Sequence, residues 1–277
     1  MLQTLRKLIN RKETASGSVR AIVPEGQRAY AVGDIHGRRD LFEALMMAIE
    51  QDDAAAPPAE TTVVLLGDLV DRGPDSAGVI ALARDWQARR KVAILAGNHE
   101  EMFLNSLSDK ETMRHFLRHG GRETILSYGL DRRKYENASL EETMELMRQA
   151  VPAEDIAFIE SFEDMYAIGD YLFVHAGIEP GIPLEEQKPR SLRWIREPFL
   201  SHAAPHGHVV VHGHTIRDDP EDRGNRIGID TGAYVSGRLT ALVLEGDRRR
   251  YIEAVEENGQ VSTRHSPANS APHLVSA

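Results

Sequence analysis

The chain has 277 residues, no cysteine, and a formal charge of −10 from 33 Lys+Arg against 43 Asp+Glu. That length suits one large α/β domain or at most two small ones, and the missing cysteine excludes disulfides, Cys-ligated zinc and thiol nucleophiles. The acidic balance argues against a nucleic-acid partner, and no apolar run reaches the roughly 18 residues of a spanning helix, so stable membrane insertion is not expected.

Residues 1–20 mix Leu2, Leu5, Leu8 and Ile9 with Arg6, Lys7, Arg11 and Lys12. This basic amphipathic segment is read as a docked or frayed chain end. Next come strands alternating with helices: a strand over 28–32 (RAYAV) with a helix over 40–50, one over 62–66 (TVVLL) with a helix over 76–90, and one over 91–96 (KVAILA) with a helix from about 100. The alternation predicts βαβ units and a largely parallel sheet. Residues 105–165 are charged and helical in pattern, a helical insertion beside the sheet. Later strands over 171–174, 208–211, 226–229 and 239–244 have fewer helices between them, which predicts a second sheet with antiparallel character. From 259 to 277 the chain is rich in Ser, Pro and Ala and reads as a disordered tail, leaving 21–258 as the main folded domain.

The chemistry sits immediately after the strands. RAYAV runs into Gly33-Asp34-Ile35-His36-Gly37, TVVLL into Gly67-Asp68-Leu69-Val70-Asp71-Arg72-Gly73, and KVAILA into Gly97-Asn98-His99-Glu100. The strand ending at Val174 runs into His175-Ala176-Gly177, and that ending at Val211 into His212-Gly213-His214-Thr215. One Gly-Asp after a strand is an ordinary turn. Five strands ending this way point elsewhere, because strand carboxyl ends converge on the ligand crevice of an open α/β sheet. Asp34, His36, Asp68, Asn98, His175 and His214 would meet there. Mixed carboxylate and imidazole donors suit manganese, iron or zinc rather than calcium. Six such ligands exceed the needs of one open catalytic metal but suit two divalent ions bridged by Asp68, the usual device for displacement at phosphorus.

GDIHG, GDLVDRG, GNHE, HAG and the late GHT resemble the motif set of the phosphoprotein phosphatases, a branch of the calcineurin-like metallophosphoesterases, over about residues 28–245. The resemblance implies a four-layer α/β/β/α sandwich of two mixed sheets around a dinuclear centre, with manganese as the first choice of metal. One ion would be held by Asp34, His36 and Asp68, the other by Asp68, Asn98, His175 and His214. His99 matches the general acid, Asp71 the carboxylate that orients it, and Arg72 a phosphate-gripping arginine. Arg196 is chosen over Arg193 as the second arginine. A His–Asp pair suits a leaving alkoxide, and arginine's planar fork suits two phosphate oxygens. Trp194 reads as packing; His208 and His212 as strand residues, His206 as a loop residue, and His115 with His119 as solvated.

The implied activity is hydrolysis of phosphoserine or phosphothreonine in a phosphorylated protein substrate, by direct attack of a metal-bridging hydroxide. The alternative is a bis(5'-nucleosyl)-tetraphosphatase acting on diadenosine tetraphosphate. Asp71 and the Glu100-Glu101 pair look more like the protein-phosphatase form. His214 is followed by Thr215 rather than by a further Gly-His-x-His ligand, which also favours that branch. No Asp-x-Asp nucleophile and no GxxxxGK[ST] loop occurs, so aspartyl-phosphate and P-loop chemistry are unsupported. The absence of cysteine is compatible with a reducing compartment, and the cytoplasm is the expected location.

Overall fold

A computed structural model describes residues 19–267, 269–270 and 273–274. Most of the expected basic segment, residues 1–18, therefore lies outside the described residues.

The first half follows the βαβ expectation. β1 (Gln27–Val32), α1 (Arg39–Ala55), β2 (Glu60–Leu65), α2 (Ser76–Arg89), β3 (Val92–Ile94) and α3 (Asn98–Ser106) succeed one another, and β1, β2 and β3 pair in parallel. The insertion is a run of short helices: α4 (Lys110–Phe116), α5 (Arg122–Ser127), α6 (Arg132–Glu136), α7 (Leu140–Ala150) and α8 (Ala153–Glu160). It returns through β4 (Met165–Ile168) and β5 (Tyr171–Val174) to α9 (Pro189–Trp194) and β6 (Val209–His212). Then follow β7 (Glu221–Asp222), β8 (Arg226–Gly228), the single turn α10 (Ala233–Ser236), β9 (Arg238–Glu245), β10 (Arg248–Glu257) and β11 (Gln260–His265).

Among the described residues these strands form two mixed sheets. One is ordered β11-β10-β9-β1-β2-β3, with Asn269–Ser270 as a seventh strand on β10; the other is ordered β4-β5-β6-β8-β7. Strand periodicity explains the layering, since alternate residues point to opposite faces. Tyr30, Val32, Val63 and Leu65 pack under the helices, whereas Ala29, Ala31, Val64 and Leu66 meet Tyr171, Phe173, Val209 and Val211 of the facing sheet. Leu172, Val174 and Val210 point the other way, against Leu192 and Phe199. The sequence is thus apolar on both faces of the central strands, and each face has its own buried layer.

Two elements depart from the sequence reading. The strand over 239–244, grouped with the second sheet, lies in the first, where β9 pairs antiparallel with β1. Like the strands of either sheet β9 is apolar on both faces, with Leu239, Ala241 and Val243 toward the helices and Leu242 and Leu244 toward the other sheet, so its pattern suits both sheets and tertiary packing places it beside β1. The second departure is β11, which lies past the boundary at 258 expected from composition. Asn258 and Gly259 both take positive φ (55° and 77°), the backbone of the tight hairpin turn favoured by Asn-Gly, and β11 folds back on β10 from Gln260.

Candidate active site

The loops leaving β1, β2, β3, β5 and β6 meet at one edge of the two sheets, and every donor expected there is buried: Asp34, His36, Asp68, Asn98, His175 and His214. The backbone is unusual where they meet. Among the described residues six non-glycine positions take positive φ, and five of them are His36, Asp68, Asp71, Arg72 and His214. Such conformations persist only where surrounding structure enforces them, and they cluster at functional sites. Two glycines are required by close approach. A Cβ on Gly97 would lie 2.1 Å from Asp68 Oδ1, and one on Gly213 would lie 2.0 Å from Asp34 Oδ1.

Asp68 is the centre. His36 Nε2 lies 3.6 Å from its Oδ2, and His175 Nε2 lies 3.4 Å from its Oδ1. Ligand atoms of His36, Asp68 and His99 fall within 4.8 Å of one another, as do those of Asp68, His175 and His214. Asp68 is common to both trios, the position a bridging ligand needs. Asp34 belongs to neither trio; its carboxylate accepts the His214 N–H at 3.1 Å. Asn98 Oδ1 is 3.1 Å from His175 Nε2.

Ring orientation fits metal ligation. His36 Nδ1 donates to the Val70 carbonyl at 2.9 Å and His175 Nδ1 to the Leu66 carbonyl at 2.8 Å. A hydrogen bond at one ring nitrogen fixes the tautomer and leaves the other as a lone pair. Burial lowers the pKa of His36, His175 and His214, the last to about 3, so all three stay neutral near pH 7. Nε2 of His214 is buried without a hydrogen-bond partner among the described residues, an orphan that a cation would satisfy. The carboxylates tell the same story. Asp34 is pushed well above the usual range by burial and by Asp230 and Asp68, and Asp230 is pushed up to about 6 by burial and by Asp68. Asp68 itself is held below the usual range: burial would raise it, but His175, His99 and His36, protonated at the low pH where it titrates, outweigh that. Crowded buried carboxylates of this kind are stabilised by bound cations. The donor set therefore fits two divalent ions.

Beside this cluster stands a second constellation. His99 Nδ1 lies 2.6 Å from Asp71 Oδ2, and Asp71 Oδ1 accepts the Thr124 hydroxyl at 2.6 Å. The His99 backbone N–H donates to Asp68 Oδ1 at 3.0 Å, so the ring is registered against the metal cluster. Burial would lower the His99 pKa, but Asp68 and Asp71 more than offset that and raise it. Arg72 spans the two groups, with Nη1 3.0 Å from His36 Nε2 and Nη2 2.9 Å from His99 Nε2. Its own N–H donates to the Gly120 carbonyl of the insertion, and its guanidinium lies 4.6 Å from the Tyr234 ring centroid.

The two arginine candidates are placed differently. Arg193 is engaged by Asp164 at 2.7 Å and Glu101 at 3.0 Å. Arg196 lies beside the cluster, Nη2 3.4 Å from the His214 carbonyl. Trp194 packs on the core and donates to Glu101. His212 ends β6, His208 stands one residue before it, and His206 is in the preceding loop. His115 and His119 are exposed, their rings 4.0 Å apart.

Sequence reasoning gave no role to Thr124, Asp230 or Tyr234, and used Glu100 only for family likeness. Glu100 is buried and accepts backbone N–H groups of Gly97, Asp68 and Leu69 at 2.9, 2.9 and 2.7 Å. It ties the loops of Asp68 and Asn98 together. Its place at the third position of α3 carries the signal, since a glutamate there reaches back to cap the helix start. Thr124 has no such signal; it arrives from the insertion by tertiary packing alone.

Comparison with known proteins agrees with this geometry. The chain is 29% identical over 223 residues to "Serine/threonine-protein phosphatase 1" of Salmonella typhimurium, covering 77% of this chain and 90% of that protein. It is 28% identical over 234 residues to "Bis(5'-nucleosyl)-tetraphosphatase PrpE [asymmetrical]" of Anoxybacillus flavithermus, covering 76% and 88%. A crystal structure of a cold-active protein-tyrosine phosphatase from a Shewanella species superposes with a TM-score of 0.54 at 21% identity, over 92% of this chain and 87% of that one, which shows a shared fold. A sequence model of the calcineurin-like phosphoesterases matches residues 28–236, and the chain belongs to that family.

Proposed function

We propose that this phosphoesterase removes phosphate from phosphoserine or phosphothreonine in proteins. The carrying observation is the His99–Asp71 pair, backed by Thr124 and set against Asp68. A serine or threonine alkoxide leaves poorly without a proton, whereas a nucleotide phosphate leaves readily. A buried imidazole with a raised pKa is what the first substrate needs. The 29% identical Salmonella phosphatase bears a name consistent with this reading.

Asp34, His36 and Asp68 would hold one divalent ion, and Asp68, Asn98, His175 and His214 the other. When bound, such a pair supplies Lewis acidity toward phosphoryl oxygens and lowers the pKa of water. Arg72 and Arg196 grip the phosphoryl oxygens, Asp71 fixes the angle of His99 through Nδ1, and His99, once Arg72 turns from its Nε2 to the phosphate, carries there the proton that it delivers to the departing oxygen. The mixed oxygen and imidazole set favours manganese, with iron or zinc as alternatives. The catalytic unit covers 21–258 together with β11, and the cysteine-free composition is consistent with work in the cytoplasm.

The 28% identical relative named PrpE supports diadenosine tetraphosphate as the second reading. Turnover of a phosphoserine peptide and of diadenosine tetraphosphate, measured side by side with added manganese, decides between them. Faster cleavage of the peptide is expected; much faster cleavage of the dinucleotide overturns the proposal.

A further inference from the structure

From the lip of the site, we infer a subsite for an aliphatic side chain flanking the phosphoresidue, built by Ile216 and Val235; this rests on the phosphoprotein reading. Among the described residues six large hydrophobic side chains are exposed, and three of them are Ile216 at 39% and the neighbouring Tyr234 at 36% and Val235 at 69%. Ile216 lies two residues beyond His214. Tyr234 meets the His36 ring at 5.3 Å and 84°. Ile216 and Val235 adjoin across Gly232, where a Cβ would lie 3.1 Å from both side chains. Gly232 and Gly237, at φ 71° and 70°, bracket α10, and Ser236 Oγ donates to the Thr231 carbonyl at 2.6 Å. The turn that presents Val235 is therefore braced. Contiguous apolar surface at the mouth of a site marks binding rather than chance exposure.

Ile216 and Val235 line a cavity of about 450 Å³ that also includes Val255, Arg217, Arg238 and Arg264. Its position identifies the occupant. Ile216 follows His214 by two residues, and Val235 follows Tyr234, which lies against both His36 and Arg72, so the wall adjoins the place of the phosphoryl group and is set to meet the groups next to the phosphoresidue. Its chemistry selects an aliphatic side chain over a nucleobase. No aromatic residue lines the cavity among the described residues. Tyr234, next to Val235, already has a face against the Arg72 guanidinium, so it is not free to stack on a base from both sides. Asp218 and Glu257 line the cavity with the arginines, a mixed-charge wall suited to the polar backbone of a peptide.

The test uses the full chain with manganese. Phosphoserine peptides carry one leucine, walked through the flanking positions in a Ser/Gly background, and kcat/KM is compared with the leucine-free peptide. At one position leucine is expected to raise kcat/KM about tenfold, the worth of burying one to two methylenes. The double variant I216S/V235S, or V235S alone should the double fail to fold, is expected to erase that preference. Equal turnover of all peptides, or a leucine preference that survives the variant, overturns the inference while leaving the phosphoprotein reading in place. Loss of diadenosine tetraphosphate turnover in the variant with peptide turnover unaltered assigns the wall to a nucleobase and also overturns it. If the wild type cleaves the dinucleotide and no phosphopeptide, both readings fall together.

Discussion

His99 holds three neighbours at once: Asp71 at Nδ1, Arg72 at Nε2 and Asp68 at its backbone N–H. Replacing it by asparagine keeps a small polar group but removes the transferable proton. H99N should lower kcat on a phosphoserine peptide by about 10²–10³-fold. It should cost far less on p-nitrophenyl phosphate, whose leaving group needs no acid, and elemental analysis should find two ions per chain as before. Equal loss on both substrates would refute the acid role. Asp68 answers to a different measurement. D68N should strip both ions together, and retention of two would refute bridging. Glu100 contributes through the backbone: its Oε2 accepts from Gly97 and Asp68 and its Oε1 from Leu69, so E100Q, which turns one of these oxygens into an NH2, should lower the thermal midpoint by the equivalent of about 2 kcal/mol. Much of this site was readable from sequence because each donor follows directly on an apolar strand, within a Gly-flanked loop. Thr124 was not, because its partner Asp71 is brought to it by the packing of α5, which no local pattern encodes.

At the level of elements, edges were harder to read than centres. β1 and β2 announce themselves by apolar runs, whereas β10 mixes arginine and glutamate with Tyr251, Ile252 and Val255 and offers no apolar run to mark it. Its partner β11 is nearly all exposed; only the Asn258-Gly259 turn betrays the hairpin. The second sheet ends on a charged edge too. Glu221 of β7 binds Arg226 of β8 at 2.7 Å, and Arg226 is almost wholly buried. Burial of Glu221 would raise its pKa, but Arg223 and Arg226 lower it to about 2. A carboxyl depressed in the folded state stabilises above its unfolded pKa, near 4.5 here, and that contribution fades as pH falls toward 2. E221Q should thus cost about 2 kcal/mol at pH 7, and the gap from wild type in thermal melts should close between about pH 5 and pH 2. A gap independent of pH would show that the pair does not carry the effect.

For the molecule as a whole, the buried carboxylates of Asp34, Asp68 and Asp230 repel one another until cations join them. Chelation should therefore abolish turnover and also lower the melting temperature by several degrees, both restored by manganese, since a ligand bound only to the folded state stabilises it by mass action. Two sheets were legible in outline because strands alternating with helices give way to strands with fewer helices between them, while the four layers followed from the family resemblance. The allotment of β9 to its sheet was not, since pairing partners are chosen by packing across the whole chain. That allotment has a mechanical corollary. Asp34, Asp68 and Asn98 hang from one sheet, and His175 and His214 from the other, so a bound ion pair acts as a rivet across the seam where Phe173 and Val211 meet Ala31 and Val64. Thinning that seam with F173A, a side chain that is not itself a ligand, should loosen the rivet and speed the escape of metal to a chelator.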